Sequence, residues 1–111
     1  MNGLMNGLWI AHFDAGEAHG KGLAVLHGGE VLGGDFAHTW VGSYREEGGN
    51  LYARVRVAPY NGHAAAEEHP EQPMTMTLTG SCTELDATLT GHADESDLAV
   101  SIEMHKAAGS Q

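Results

Sequence analysis

Met74-Thr75-Met76-Thr77-Leu78-Thr79-Gly80-Ser81-Cys82 is the stretch that decides the fold. Met74, Met76, Leu78, Gly80 and Cys82 fall on one side of an extended chain; Thr75, Thr77, Thr79 and Ser81 fall on the other. Side chains alternate across a strand with a period of two, so this run is a strand with one face in a core and one in water.

The pattern recurs downstream. After Thr83 and Glu84, Leu85, Ala87 and Leu89 alternate with Asp86, Thr88 and Thr90. Beyond the polar loop 92–97, Leu98, Val100, Ile102 and Met104 alternate with Ala99, Ser101, Glu103 and His105. Three strands joined by short loops make a meander. Upstream, glycines mark the breaks, because they supply the positive φ that tight turns require. They leave five further strands at about 7–13, 21–26, 30–32, 38–45 and 51–59. Residues 14–20 read as a loop, 27–30 as a hairpin turn, Gly33-Gly34-Asp35 as the stop after the third strand and 46–50 as a turn. The one long connection runs from Tyr60 to Pro73, and 64–69 within it has the composition for a single helical turn.

Eight short strands close into a barrel or split into a sandwich. Closure is the expectation, since it removes the edges that invite aggregation. The fold class expected is therefore all-β, an eight-stranded antiparallel up-and-down barrel with little or no helix, in one domain over residues 1–111. Such a barrel has an interior just filled by side chains or just able to hold one small ligand. The shortness of the chain favours a filled interior.

Composition narrows the function. Apolar residues make up 41% of the chain and charged ones 18%, ordinary values for a globular domain. Fifteen acidic residues against five basic ones give a net charge of −10, which repels phosphate backbones and anionic membranes. Neither nucleic acid nor membrane is expected as a partner, whereas a basic protein surface suits the field. Cys82 is the only cysteine, so an intrachain disulfide is excluded and a reducing, cytoplasmic setting fits. No run approaches the roughly 20 apolar residues that span a bilayer, and no basic n-region of an export signal is evident.

Residues with chemical potential are few. His12, His19, His27, His38, His63, His69, His92 and His105 are scattered one to a loop or strand with no ligand spacing, so no metal and no cofactor is expected. Gly33-Gly34-Asp35 lacks the following helix that would complete an anion cradle, and reads instead as a turn whose aspartate bonds its own backbone. Cys82 lies in register with Met76 and Leu78, hence inward and inert. No nucleophile, acid and base stand together, so the chain does not read as an enzyme. Trp9 on the first strand can plug one end of a barrel, with Lys106 from the last strand stacked on its face as a cation–π partner.

Asn6-Gly7-Leu8-Trp9, Gly20-Lys21-Gly22-Leu23, Gly33-Gly34-Asp35 and Val41-Gly42-Ser43-Tyr44 form a series. In that series the chain resembles the GrlR-type negative regulators of type III secretion and their uncharacterised bacterial relatives, over residues 6–106. The resemblance implies a lipocalin-like barrel and a binding domain that sequesters a transcriptional activator. It also implies a homodimer. The family's acidic four-residue turn falls on Glu46, Glu47, Gly48 and Gly49, where only two carboxylates remain.

Two functions follow as expectations. The leading one is a non-catalytic regulator that binds a protein partner, such as a transcriptional activator, through Glu46 and Glu47. The alternative is a carrier or sensor of a small hydrophobic ligand, a lipid or fatty acid, held between Met76, Leu78, Leu89, Val100 and Ile102 in the barrel interior.

Overall fold

A computed structural model describes residues 3–59 and 73–109. Its strands are β1 (Gly7–Ala15), β2 (Ala18–His27), β3 (Glu30–Gly34), β4 (His38–Glu47), β5 (Asn50–Pro59), β6 (Met74–Cys82), β7 (Asp86–Ala93) and β8 (Ala99–Gly109). Each pairs antiparallel with the next, and β8 returns to pair with β1. The expected all-β, eight-stranded closed barrel is thus the fold, and among the described residues no helix is long and apolar enough to cross a membrane.

Strands run longer and turns shorter than their residue types suggested. The expected loop 14–20 contracts to a turn at Gly16 and Glu17, made possible by φ +66 at Gly16. The β2–β3 and β4–β5 hairpins turn on Gly28-Gly29 and Gly48-Gly49, with φ near 60 and 88 in the first and 59 and 87 in the second. Two consecutive positive φ values are the mark of the type I′ turn, whose twist matches that of the flanking strands. Glu46 and Glu47 consequently end β4 instead of lying in the turn. Gly33 and Gly34 belong to β3 and are not its stop. Gly33 pairs with Ala24, and a Cβ on it would lie 2.2 Å from the Leu23 carbonyl oxygen, so the strand approaches its neighbour closely enough to require glycine.

Two other readings change. Leu85, expected to face inward, is exposed just before β7, because the Thr83 hydroxyl accepts the N–H groups of both Leu85 (3.2 Å) and Asp86 (3.1 Å) and turns the chain there. His92 and Ala93, expected in a loop, complete β7. The anticipated helical turn at 64–69 lies outside the described residues.

The two ends of the barrel differ. At the end where β1 begins, the preceding residues fold beneath the sheet, burying Met5 and Trp9 almost completely. Trp9 Nε1 donates to the Met5 carbonyl at 2.9 Å. Asn6 Oδ1 accepts from the Gly28 N–H at 3.1 Å and from the Tyr44 hydroxyl at 3.3 Å, tying the segment to the β2–β3 turn and to β4. Lys106 Nζ donates to the Leu4 carbonyl at 3.0 Å and stands 5.2 Å from the centre of the Trp9 ring. This end is plugged. The connections β1–β2, β3–β4 and β7–β8 lie at the opposite end, where β5 also ends and β6 begins.

Candidate functional site: the barrel interior

Between the plug and the opposite end lies a cavity of about 410 Å³. Met76, Leu78, Leu89, Val100 and Ile102 all line it. The interior is therefore not filled, contrary to the expectation from chain length. Its inward positions are too small to fill it: Ala11 pairs with Gly22, Ala24 with Gly33, Gly42 stands between Val31 and Val55, and Gly91 between Leu78 and Val100. At these places no side chain reaches the barrel axis, and the backbones approach so closely that a Cβ at Gly33, Gly42 or Gly91 would lie 2.2, 2.1 or 1.9 Å from a carbonyl oxygen of the neighbouring strand.

The first half of the chain contributes as much of the lining as the second. Phe13 and Trp40 meet edge to face, 5.8 Å between ring centres and 86° between planes, and form an aromatic wall toward the end opposite the plug. Ala53, Val55 and Val57 from β5 line the same space. In the sequence their alternation is less clean than that of β6 to β8, because glycines and alanines occupy many of the inward positions of β1 to β5.

Polar groups on the lining are Asp35, His38 and Tyr44. The Tyr44 hydroxyl is committed to Asn6 at the plug. Asp35 and His38 sit at the other end. Asp35 Oδ1 accepts the backbone N–H groups of Ala37 (2.8 Å) and His38 (2.7 Å), the self-bonded turn anticipated for this aspartate, and lies 3.4 Å from His38 Nδ1. Around this end stand Asp14, Glu17, Asp94, Glu95 and Asp97. Arg54 reaches this group from β5 and pairs with Asp94 at 2.6 Å, holding its carboxyl below the ordinary carboxylate range, with a second hydrogen bond from Thr77. The cavity is apolar and its unplugged end is acidic.

Glu46 and Glu47 lie at the plugged end, apart from the cavity. Glu46 accepts the Gly49 N–H at 3.0 Å, and Glu47 accepts Arg45 Nε at 2.8 Å. The acidic turn thus spends one carboxylate on its own backbone and has the other faced by a guanidinium. Cys82 is buried nearby, and burial, with a smaller contribution from Glu46, raises its thiol above the usual range. His12 and His105 approach ring to ring at 6.0 Å on the outer surface, where His105 pairs with Asp86 at 2.8 Å. His63 and His69 lie outside the described residues, among which no cluster of three or more histidine, cysteine or carboxylate groups has the geometry to hold a metal ion. No family model matches the chain, and no curated protein is similar to it.

Proposed function

We propose that this protein binds one small apolar molecule inside its barrel, as a carrier or sensor. The observation that supports this reading is the cavity of about 410 Å³ lined almost wholly by aliphatic and aromatic side chains. Binding pockets for small molecules commonly run from about 300 to 1,000 Å³, are mostly apolar and carry a few placed polar groups. Burial of each methylene in such a space contributes about 0.8 kcal/mol.

Charge selects the class of ligand. The acidic end opposite the plug, with Asp35 on the lining itself, disfavours a carboxylate and favours an apolar body with a neutral or cationic head group, such as a long-chain alcohol or amine. Titration of octanol, decanol, decylamine and decanoate, followed by the fluorescence of Trp40 on the lining, tests both statements. Saturable one-to-one binding is expected, tightening about fourfold for each added methylene until the cavity is full. Decanol and decylamine should bind more tightly than decanoate. Absence of saturable binding across the series, with no adduct in native mass spectra, would refute the proposal.

Docking of a protein through Glu46 and Glu47, the function implied by the GrlR-type resemblance, draws less support from the geometry. Arg45 offsets Glu47, and Glu46 is turned onto its own hairpin.

A further inference from the structure

Asp35 is the carboxylate on the cavity lining, and among the described residues no lysine or arginine lines the space. Its side chain is only 10% exposed. The turn after β3 holds it in place: the N–H groups of Ala37 and His38 both donate to Oδ1, and His38 Nδ1 stands 3.4 Å from the same oxygen. Among the described residues no donor engages Oδ2. A carboxylate so far removed from water, with one oxygen unengaged, calls for a further donor.

The two aromatic rings at this end are laid against the barrel wall. Phe13 pairs with Gly20, where a Cβ would run into the Phe13 ring. Trp40 pairs with Gly33 on β3 and reaches across it to β2, where a Cβ on Gly22 would lie 2.7 Å from the indole edge at Cη2. Glycine at positions 20, 22 and 33 thus gives the rings a bed in the wall, and they flank the approach to Asp35 instead of standing across the lumen. An aromatic face attracts a cation within about 6 Å of its centre and disfavours an anion.

We infer that Asp35 is the head-group seat of the cavity and sets its specificity, selecting a primary alkylammonium that donates to Oδ2 while its chain runs toward the plug. The inference rests on the reading of the cavity as a ligand site, and adds the residue and the charge that choose the ligand. A primary ammonium carries three donors and no acceptor, so one N–H meets Oδ2 and the others remain for solvent at the open end. A hydroxyl makes the same hydrogen bond without the charge, and charge-assisted bonds are about twice as strong as neutral ones. A carboxylate sets a second negative charge against the first, with no lysine or arginine on the lining to offset either. The order of preference is therefore amine, alcohol, carboxylate.

Fluorescence titration of the wild type and of Asp35→Asn with decylamine and decanol tests this. Asparagine keeps an acceptor oxygen for the Ala37 and His38 N–H groups, so the turn is retained and only the charge is lost. The wild type should bind decylamine at least tenfold more tightly than decanol. Asp35→Asn should weaken decylamine at least tenfold and leave decanol within about threefold. Asp94→Asn removes a carboxylate from the same end but not from the lining, and should leave the decylamine-to-decanol ratio within about twofold. Saturable decanol binding together with an unchanged decylamine affinity in Asp35→Asn would overturn the seat and leave the cavity reading standing. An equal loss of preference in Asp94→Asn would overturn it too, by tracing the preference to the general field of this end. Failure of both probes to bind the wild type would refute the cavity reading, and the seat with it.

Discussion

Ala53→Leu is expected to stabilise the free protein and to impair ligand binding, and the sign of the stability change decides whether the barrel is hollow. Ala53 lies on β5 between Tyr44 and Leu78 by register and lines the cavity. Leucine adds three carbons, which at about 0.8 kcal/mol each gain about 2.4 kcal/mol if they enter free space. Fixing the leucine rotamer costs about 0.5–1 kcal/mol. The net gain is about 1.5–2 kcal/mol, and at about 4 °C per kcal/mol for a chain of this length it raises the melting temperature by about 6–8 °C. In a filled interior the same three carbons would force side chains off their rotamers and cost about 1–3 kcal/mol, the opposite sign. Urea denaturation and calorimetry without ligand measure the difference. In parallel, losing room for three methylenes at about fourfold each predicts decanol binding weaker by about 60-fold. A lowered melting temperature with the barrel intact would refute the reasoning behind the cavity.

Three other expectations concern the plug and two titratable groups. Lys106→Met removes the charge held over Trp9 and the hydrogen bond to the Leu4 carbonyl. The expected loss is about 1–2 kcal/mol, a melting temperature lower by about 4–8 °C, with partial retention in Lys106→Arg; an unchanged melting curve would show that the pair contributes nothing. Cys82, buried and with its thiol raised, should react with an aromatic disulfide reagent only as fast as the protein opens, and fast labelling in native buffer would contradict its placement. Asp94 has a folded-state pKa below its ordinary 3.8, through Arg54 first and Thr77 second. A depressed carboxylate stabilises the fold above its unfolded value and loses that contribution as pH falls through the folded one. The stability difference between wild type and Asp94→Asn should therefore be present at neutral pH and shrink below pH 3.8; a difference independent of pH would exclude the ion pair as its source.

Strand number and order were legible because alternation is a local property. Each of β6, β7 and β8 declares its inward face within a few residues, and a one-residue slip would expose the whole apolar set. Strand ends were less legible for a physical reason. Glu46, Glu47, Asp14 and His19 are residue types found in loops, yet in a closed barrel they pair along the ladder because two-residue turns, Gly48-Gly49 and Gly16-Glu17, hold the neighbouring strands together to their tips. Leu85 misled in the opposite sense: its hydrophobicity fitted the alternation, but the Thr83 hydroxyl captures the local N–H groups and pushes the side chain into solvent.

The hollow interior and the aliphatic outer face share a cause that no single strand shows. Periodicity tells which side chains share a face; it does not tell which face is inside when both carry apolar residues. In β2 the outward set is His19, Lys21, Leu23, Val25 and His27 and the inward set is Ala18, Gly20, Gly22, Ala24 and Leu26, so the large aliphatic side chains are divided between the faces. Register resolves it: Ala24 faces the same side as Trp9 and Gly33, and Val25 the same side as Leu8 and Leu32. Leu8, Val25, Leu32 and Val41 stand outside the barrel, and Gly22, Ala24, Gly33 and Gly42 stand within. One choice of inward face thus leaves space in the interior of β1 to β4 and places aliphatic side chains on its exterior. Leu32→Lys should leave decanol binding intact where Ala53→Leu impairs it, because the two side chains stand on opposite faces of the same sheet, and loss of binding in Leu32→Lys would contradict a ligand held inside the barrel.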